Sequence, residues 1–213
     1  MPKDFRRYIR RKHDYRRRKA KEEGYLSRAA YKLKQINQRF KLIKPGQRIL
    51  ELGASPGGRT QVLSELVGEE GEVVAVDLRK LKFSADNVRF IRSDIRELDV
   101  KSLGKFDLVV SDLAPNTSGH YSLDQAKQLR LVLEAYKIAK EALKPGGAFI
   151  SKVFYGEDVE DLVKEMRKEF KFVRLYKPKA SRSESAETYI VAVGYQRVAN
   201  KSDKEKRGIK VEK

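Results

Sequence analysis

The chain has 213 residues, no cysteine and a formal net charge of +18, with 48 Lys and Arg against 30 Asp and Glu. This length predicts one principal domain with a sizeable core, and the missing cysteines exclude disulfides and thiolate metal sites. No run of about 18 apolar residues occurs and no apolar stretch follows the N-terminal charges, so neither a membrane-spanning helix nor a secretory leader is expected; the balance suits a cytoplasmic protein with a polyanionic partner.

Residues 1–21 carry eleven Lys or Arg and two Asp, a surplus of +9 that is half of the excess in the whole chain. Phe5, Tyr8 and Tyr15 lie among these charges. A solvated tail accounts for that composition, and so does an arm that orders on RNA by neutralising phosphates and stacking bases. A single domain is expected over 22–197, followed by a charged tail at 198–213. Ser27 is placed to cap a helix over about 28–41, with Ala29, Leu33, Ile36 and Phe40 as its buried stripe. Lys44-Pro45-Gly46 ends it. Strands are predicted at 48–53, 73–78, 88–91 and 106–112, with a helix at 60–67 after the first. Ser122 and Gln125 form a capping box for a long helix to about Leu143, which Lys144-Pro145-Gly146-Gly147 stops. A strand at 148–153, a helix at 157–170 and strands at 172–176 and 188–195 complete the pattern. Strands alternating with helices imply an open, mostly parallel α/β sheet, here of seven strands. Only a polar loop at 177–186 separates the last two, so the final strand is expected to run antiparallel. There is no internal repeat.

The segment Glu51-Leu52-Gly53-Ala54-Ser55-Pro56-Gly57-Gly58 stands at a strand-to-helix junction. Its glycines lack the G-x-G-x-x-G spacing of a dinucleotide site, and no Gly-Lys-Ser/Thr follows to make a P-loop. Glu51 before the first glycine suits instead a ligand with an ammonium group and no phosphate, and S-adenosyl-L-methionine is such a ligand. Asp77 follows Gly53 by 24 residues and ends the second strand, where a carboxylate can accept from two ribose hydroxyls. Asp94 follows the third strand, where a carboxylate can accept from an adenine amino group. Either aspartate alone is more often a cap or a turn residue; together, behind a glycine-rich loop, they point to a nucleoside pocket.

Four further polar residues hold comparable positions. Lys32 lies beside Ile36 at the edge of the first helix's buried stripe, and Asp112 closes the fourth strand. Lys152 interrupts an otherwise apolar fifth strand, and Glu187 opens the last. Two ordinary ion pairs would account for them, although a charge in an apolar strand calls for a partner. The two histidines, His13 and His120, form no metal-ligand cluster, and no metal is expected.

Taken together, these pieces closely resemble the FtsJ-type RNA ribose 2′-O-methyltransferases over about residues 24–196, and within them the branch acting on large-subunit ribosomal RNA. The resemblance rests on Ser27-Arg28-Ala29-Ala30-Tyr31-Lys32-Leu33, Leu52-Gly53-Ala54-Ser55-Pro56-Gly57-Gly58 and Ser111-Asp112-Leu113-Ala114-Pro115-Asn116-Thr117-Ser118-Gly119. Lys152-Val153-Phe154 and Lys177-Pro178-Lys179-Ala180-Ser181-Arg182 extend it. It implies a Rossmann-like S-adenosyl-L-methionine methyltransferase fold and a catalytic tetrad of Lys32, Asp112, Lys152 and Glu187, with Lys152 central. It implies a cofactor pocket lined by Gly53, Pro56, Gly57, Arg59, Asp77, Asp94 and Asp112. The chain departs from the family at Arg59, where an aromatic is usual. The implied substrate is a ribose, at a uridine, in large-subunit rRNA within the ribosomal subunit, and a monomer is expected. A tRNA 2′-O-methyltransferase of the same family is the alternative enzyme, and a non-catalytic ribosome-assembly protein the alternative of another class.

Overall fold

The computed structural model describes residues 18, 20–116, 118–181 and 185–196. The arm at 1–17, with Phe5, Tyr8, His13 and Tyr15, lies outside the described residues, as do Thr117, Arg182 and the tail at 198–213.

The elements run α1 (Ala29–Phe40), β1 (Arg48–Leu52), α2 (Gly58–Val67), β2 (Glu72–Asp77), β3 (Val88–Arg92), β4 (Phe106–Ser111), α3 (Tyr121–Ala142), β5 (Leu143–Phe154), α4 (Glu157–Met166), β6 (Phe170–Tyr176) and β7 (Glu187–Tyr195). The seven strands form one sheet in the order β3-β2-β1-β4-β5-β7-β6. β3, β2, β1, β4 and β5 pair in parallel, and β7 inserts antiparallel between β5 and β6. The expected α/β fold with an antiparallel last strand is thus what the chain adopts.

Strand side chains alternate across the sheet, so each strand feeds two cores. Leu50, Val74, Val109 and Phe149 pack with Val132 and Ala139 of α3 and with Val163 and Met166 of α4. Ile49, Val73, Leu108 and Ile150 pack on the other face with Leu33 and Ile36 of α1 and with Val62 and Leu63 of α2. Burial on both faces explains why the central strands read as continuous apolar runs.

Several predicted boundaries move, each for a local reason. Ser27 does not cap α1; Arg28 holds the N-cap position without a side-chain bond. Ser27 abuts α2 instead, since a Cβ on Gly58 would lie 2.3 Å from its Oγ. The Ser122–Gln125 capping box does not form either. Asp124 takes its place, accepting from the backbone N–H groups of Ser118 at 2.7 Å and Gly119 at 3.1 Å. Gln125 turns away and donates to the Tyr155 carbonyl at 3.2 Å. α4 ends at Met166, not Phe170, because Phe170 opens β6 opposite Tyr195 and packs on its ring at 5.2 Å. β5 begins at Leu143, where Phe106 pairs with it ahead of a register shift.

Chain order reverses between β1 and β4: β1 leads outward to β2 and β3, and the chain returns to place β4 on the other side of β1. In open α/β sheets the crevice beyond the strand ends at such a switch point is where ligands bind.

Candidate active site at the switch point

Gly53 and Asp112 face each other across this crevice, where the Asp112 N–H donates to the Leu52 carbonyl at 3.0 Å. Gly53 has φ +80°, and a Cβ there would lie 3.1 Å from the Leu113 nitrogen and 3.3 Å from the Asp112 carbonyl carbon. Glycine therefore lets the turn after β1 close on the end of β4. Gly57, at φ +119°, is hemmed by Phe83 and Leu26. Pro56 lies between them, after a cis peptide bond.

Asp77 is buried at the end of β2 and fastens this loop. Its Oδ2 accepts from the Ser55 N–H at 2.9 Å and its Oδ1 from the Arg79 N–H at 2.8 Å. A carboxylate has about four acceptor positions, so capacity remains on both oxygens. Asp94 bonds within its own turn. It caps the short 3₁₀ turn Ile95–Glu97, and Arg96 reaches it with its backbone N–H at 2.9 Å and its guanidinium at 2.6 and 3.0 Å. These bonds from Arg96 bring the Asp94 carboxyl down to about 2.

Glu51 was expected to face an ammonium group. It is fully buried, and the chain's own groups meet it. Its Oε1 lies 3.2 Å from Arg59 Nε, and its Oε2 accepts from the Thr60 hydroxyl at 2.6 Å. Burial pushes the Glu51 carboxyl up, with Arg59 and Thr60 pulling against it. The Arg59 guanidinium also donates to the Asp112 carboxylate and to the Gly53 carbonyl. Burial opposes the charge on Arg59, but Asp112 and Glu51 outweigh it and hold the guanidinium above its ordinary range. Arg59 therefore places a buried cation between the fully buried Glu51 carboxylate and the partly buried Asp112 carboxylate.

The four tetrad candidates form two neighbouring pairs. Ser111 is in register with Ser151, so the next residues, Asp112 and Lys152, emerge side by side. Lys152 Nζ donates to the Asp112 carbonyl at 2.9 Å and lies 3.4 Å from its Oδ1. On β7, Tyr189 is opposite Lys152, and Glu187 is two residues away on the same face. Lys32 reaches across from α1 and forms an ion pair with Glu187. Both lysines are buried. Burial opposes ionisation of Asp112, yet Arg59, Lys152 and Lys32 together hold its carboxyl below the usual range. The two pairs thus belong to one electrostatic cluster.

Two further residues complete it. Tyr189 donates its hydroxyl to Asp112 Oδ1 at 3.1 Å, and burial with Asp112 and Glu187 nearby keeps this phenol protonated. Gln128 on α3 donates its side-chain amide to the carbonyls of Leu113 at 3.1 Å and Lys152 at 3.0 Å, bridging the ends of β4 and β5. For Tyr189 the signal was present: it shares the period-2 face of Glu187. For Gln128 no local signal existed beyond one polar residue on an apolar helix face.

A family model described as FtsJ-like methyltransferase matches residues 25–195. The ribosomal RNA large subunit methyltransferase E of Methanocaldococcus jannaschii is 44% identical, over 99% of this chain and 90% of its own length. Its namesake from Methanothermobacter thermautotrophicus is 46% identical over 85% and 89%. A crystal structure from Plasmodium falciparum, assigned as a ribosomal RNA methyltransferase, superposes with a TM-score of 0.72 at 26% identity, covering 80% of this chain and 98% of that one. With the match spanning the whole sheet and every residue of the cluster at the switch point, the chain belongs to the FtsJ-like methyltransferase family.

Proposed function

We propose that this protein uses S-adenosyl-L-methionine to methylate the 2′-hydroxyl of a ribose, at a uridine, in large-subunit ribosomal RNA. The observation that carries the reading is Lys152: a buried lysine at the carboxyl end of an apolar strand, aligned by Asp112 and flanked by the Lys32–Glu187 pair. The names of the archaeal relatives support the ribosomal target.

The pocket residues fit the cofactor. The turn through Gly53, Pro56 and Gly57 is tight, with positive φ at both glycines and the chain's own atoms 3.0–3.3 Å from where a Cβ would stand, and it lies at the switch-point crevice where open α/β sheets bind ligands. Asp77 is held rigidly with acceptor capacity left for ribose hydroxyls, and Asp94 lies beyond β3 to accept from the adenine amino group. Arg59 contributes from below, by holding Asp112 in place. The bound cofactor supplies an activated methyl group on a sulfonium. Glu51 is given no role toward it, because it is fully buried and its charge is matched inside the chain by the Arg59 guanidinium.

A ribose hydroxyl is weakly acidic, so its proton must leave as the new C–O bond forms. Lys152 Nζ takes that proton or, as an ammonium, offsets the charge growing on the oxygen. Both uses need Nζ within hydrogen-bond reach of the hydroxyl. Asp112 orients Nζ, Tyr189 and Arg59 orient Asp112, and the Lys32–Glu187 pair borders the oxygen's approach. In this reading recognition falls to the catalytic face and the basic arm. Phosphate contacts position without specifying, so a rigidly presented, unstacked ribose in a ribosomal particle is the fitting substrate.

Purified large subunits, naked large-subunit rRNA and bulk tRNA, offered with labelled cofactor at matched salt, test this. The expected outcome is 2′-O-methylation of one ribose, fastest in the subunit. Methylation confined to tRNA would overturn the ribosomal target. The pocket has its own check. Asp77→Ala and Asp94→Ala are each expected to weaken cofactor binding by about 1–3 kcal/mol in calorimetry, the loss of a hydrogen-bond acceptor; unchanged affinity in both would displace the pocket.

A further inference from the structure

The mouth of the site carries two tyrosine rings that neither core uses. Tyr155 follows β5, three residues beyond Lys152, and Tyr121 opens α3 after the loop that leaves β4 at Asp112. They are 53% and 59% exposed. Phenol rings on a surface are ordinary when nothing orders them; these two are held. The Tyr121 hydroxyl donates to the Tyr155 carbonyl at 2.9 Å, and Gln125 donates to the same oxygen at 3.2 Å. The Tyr155 N–H donates to the Ala186 carbonyl at 2.9 Å, the residue before Glu187. Glu160 beside the Tyr155 hydroxyl pushes the ionisation of that phenol up. A Cβ at Gly156 would lie 1.4 Å from the Gln125 amide nitrogen and would push that side chain off the Tyr155 carbonyl. The Tyr121 ring is therefore tethered through its hydroxyl and the Tyr155 backbone is fixed on both sides, while both rings stay more than half exposed.

A tethered, open ring beside a reactive centre is a platform for a planar partner. At about 3.3 Å per residue, Tyr155 lies on the order of 10 Å from Lys152 along the strand. The chain's charge of +18 favours a polyanion. Unstacked bases in single-stranded RNA are bound by aromatic side chains in this way. We infer that Tyr121 and Tyr155 form a stacking rim that receives the unpaired bases flanking the target nucleotide and so presents its ribose to Lys152. This rests on the RNA reading above and adds to it a specificity for an unpaired, splayed segment.

The test is steady-state methylation of undermethylated large ribosomal subunits by the full chain. A Tyr121→Ala, Tyr155→Ala double variant is expected to raise KM for subunits about tenfold or more, the size of one or two lost base contacts, with kcat and cofactor affinity kept. Stacking is not counterion release, so the salt dependence of RNA affinity should keep its slope. A Tyr121→Phe, Tyr155→Phe double variant should retain near-normal KM. An unchanged KM in the alanine variant overturns the rim, as does a phenylalanine variant equally impaired, which would assign the effect to the hydroxyls. A flattened salt slope would overturn it in favour of phosphate contacts. If the unaltered protein methylates no RNA, the functional reading falls and the rim with it; a rim that fails while the unaltered protein methylates subunits falls alone.

Discussion

Lys152→Ala is expected to lower the rate of methyl transfer by roughly 10²–10⁴, the range that a positioned proton-transfer group contributes. Cofactor affinity should change little, because Lys152 is proposed to act on the ribose oxygen and not on the cofactor. The fold should also tolerate the change. Asp112, the partner left behind, still receives the Arg59 guanidinium on Oδ2 and the Tyr189 hydroxyl on Oδ1. Single-turnover methylation with saturating cofactor measures the first effect, and calorimetry the second. Turnover within tenfold of the unaltered protein would remove Lys152 from the centre of the reaction. Lys152→Arg is a second probe: it keeps the charge, but a planar fork cannot reproduce the placement of Nζ against the Asp112 carbonyl.

The largest stability effect is expected at Arg59. Its guanidinium is the cation between Glu51, which is fully buried, and Asp112. Removing one member of a buried ion pair leaves the other charge desolvated without compensation, at a cost of about 3–5 kcal/mol. Arg59→Ala should lose stability of that order in chemical denaturation. Glu51 would retain only the Thr60 hydroxyl, and burial already pushes its carboxyl up. A Glu51→Gln change in the Arg59→Ala background should therefore recover part of the loss, because it removes the stranded charge. A loss below about 1 kcal/mol, typical of a surface substitution, would show that Arg59 is not the cation that balances this site. Activity should fall too, since Arg59 holds the Asp112 carboxylate that aligns Lys152.

Much of the molecule was legible because its signals are local. Apolar runs bounded by glycine and proline mark β1, β2 and β4 within a residue or two, since strands buried on both faces need no polar alternation. Gly53 and Gly57 announced a tight turn, and both have the positive φ that such turns require. Asp112, Lys152 and Glu187 were legible as polar residues at strand ends, where an α/β sheet gathers its chemistry. Even the caps failed informatively. Ser27 and Ser122 have good capping chemistry, but Ser27 is used to seat α2, and Asp124 binds the chain ahead of α3 from within the helix.

What the chain's order of residues determined by itself was the succession of elements, the two-sided core, the glycine turn and the residue types available at the strand ends. Each follows from backbone sterics and the burial of neighbouring side chains. The tertiary structure alone decided the pairings: Arg59 with Glu51 and Asp112, Lys32 with Glu187, Tyr189 with Asp112, and Gln128 across the ends of two strands. Lys32 and Glu187 are 155 positions apart and Tyr189 and Asp112 are 77 apart, so no periodicity within one element relates them. Their meeting depends on the reversal of strand order at β1 and β4 and on the register that sets Lys152 opposite Tyr189. A buried charge takes whichever partner that packing brings within reach, which is why Glu51, whose acidity suggested a ligand's ammonium, is satisfied by the chain's own guanidinium.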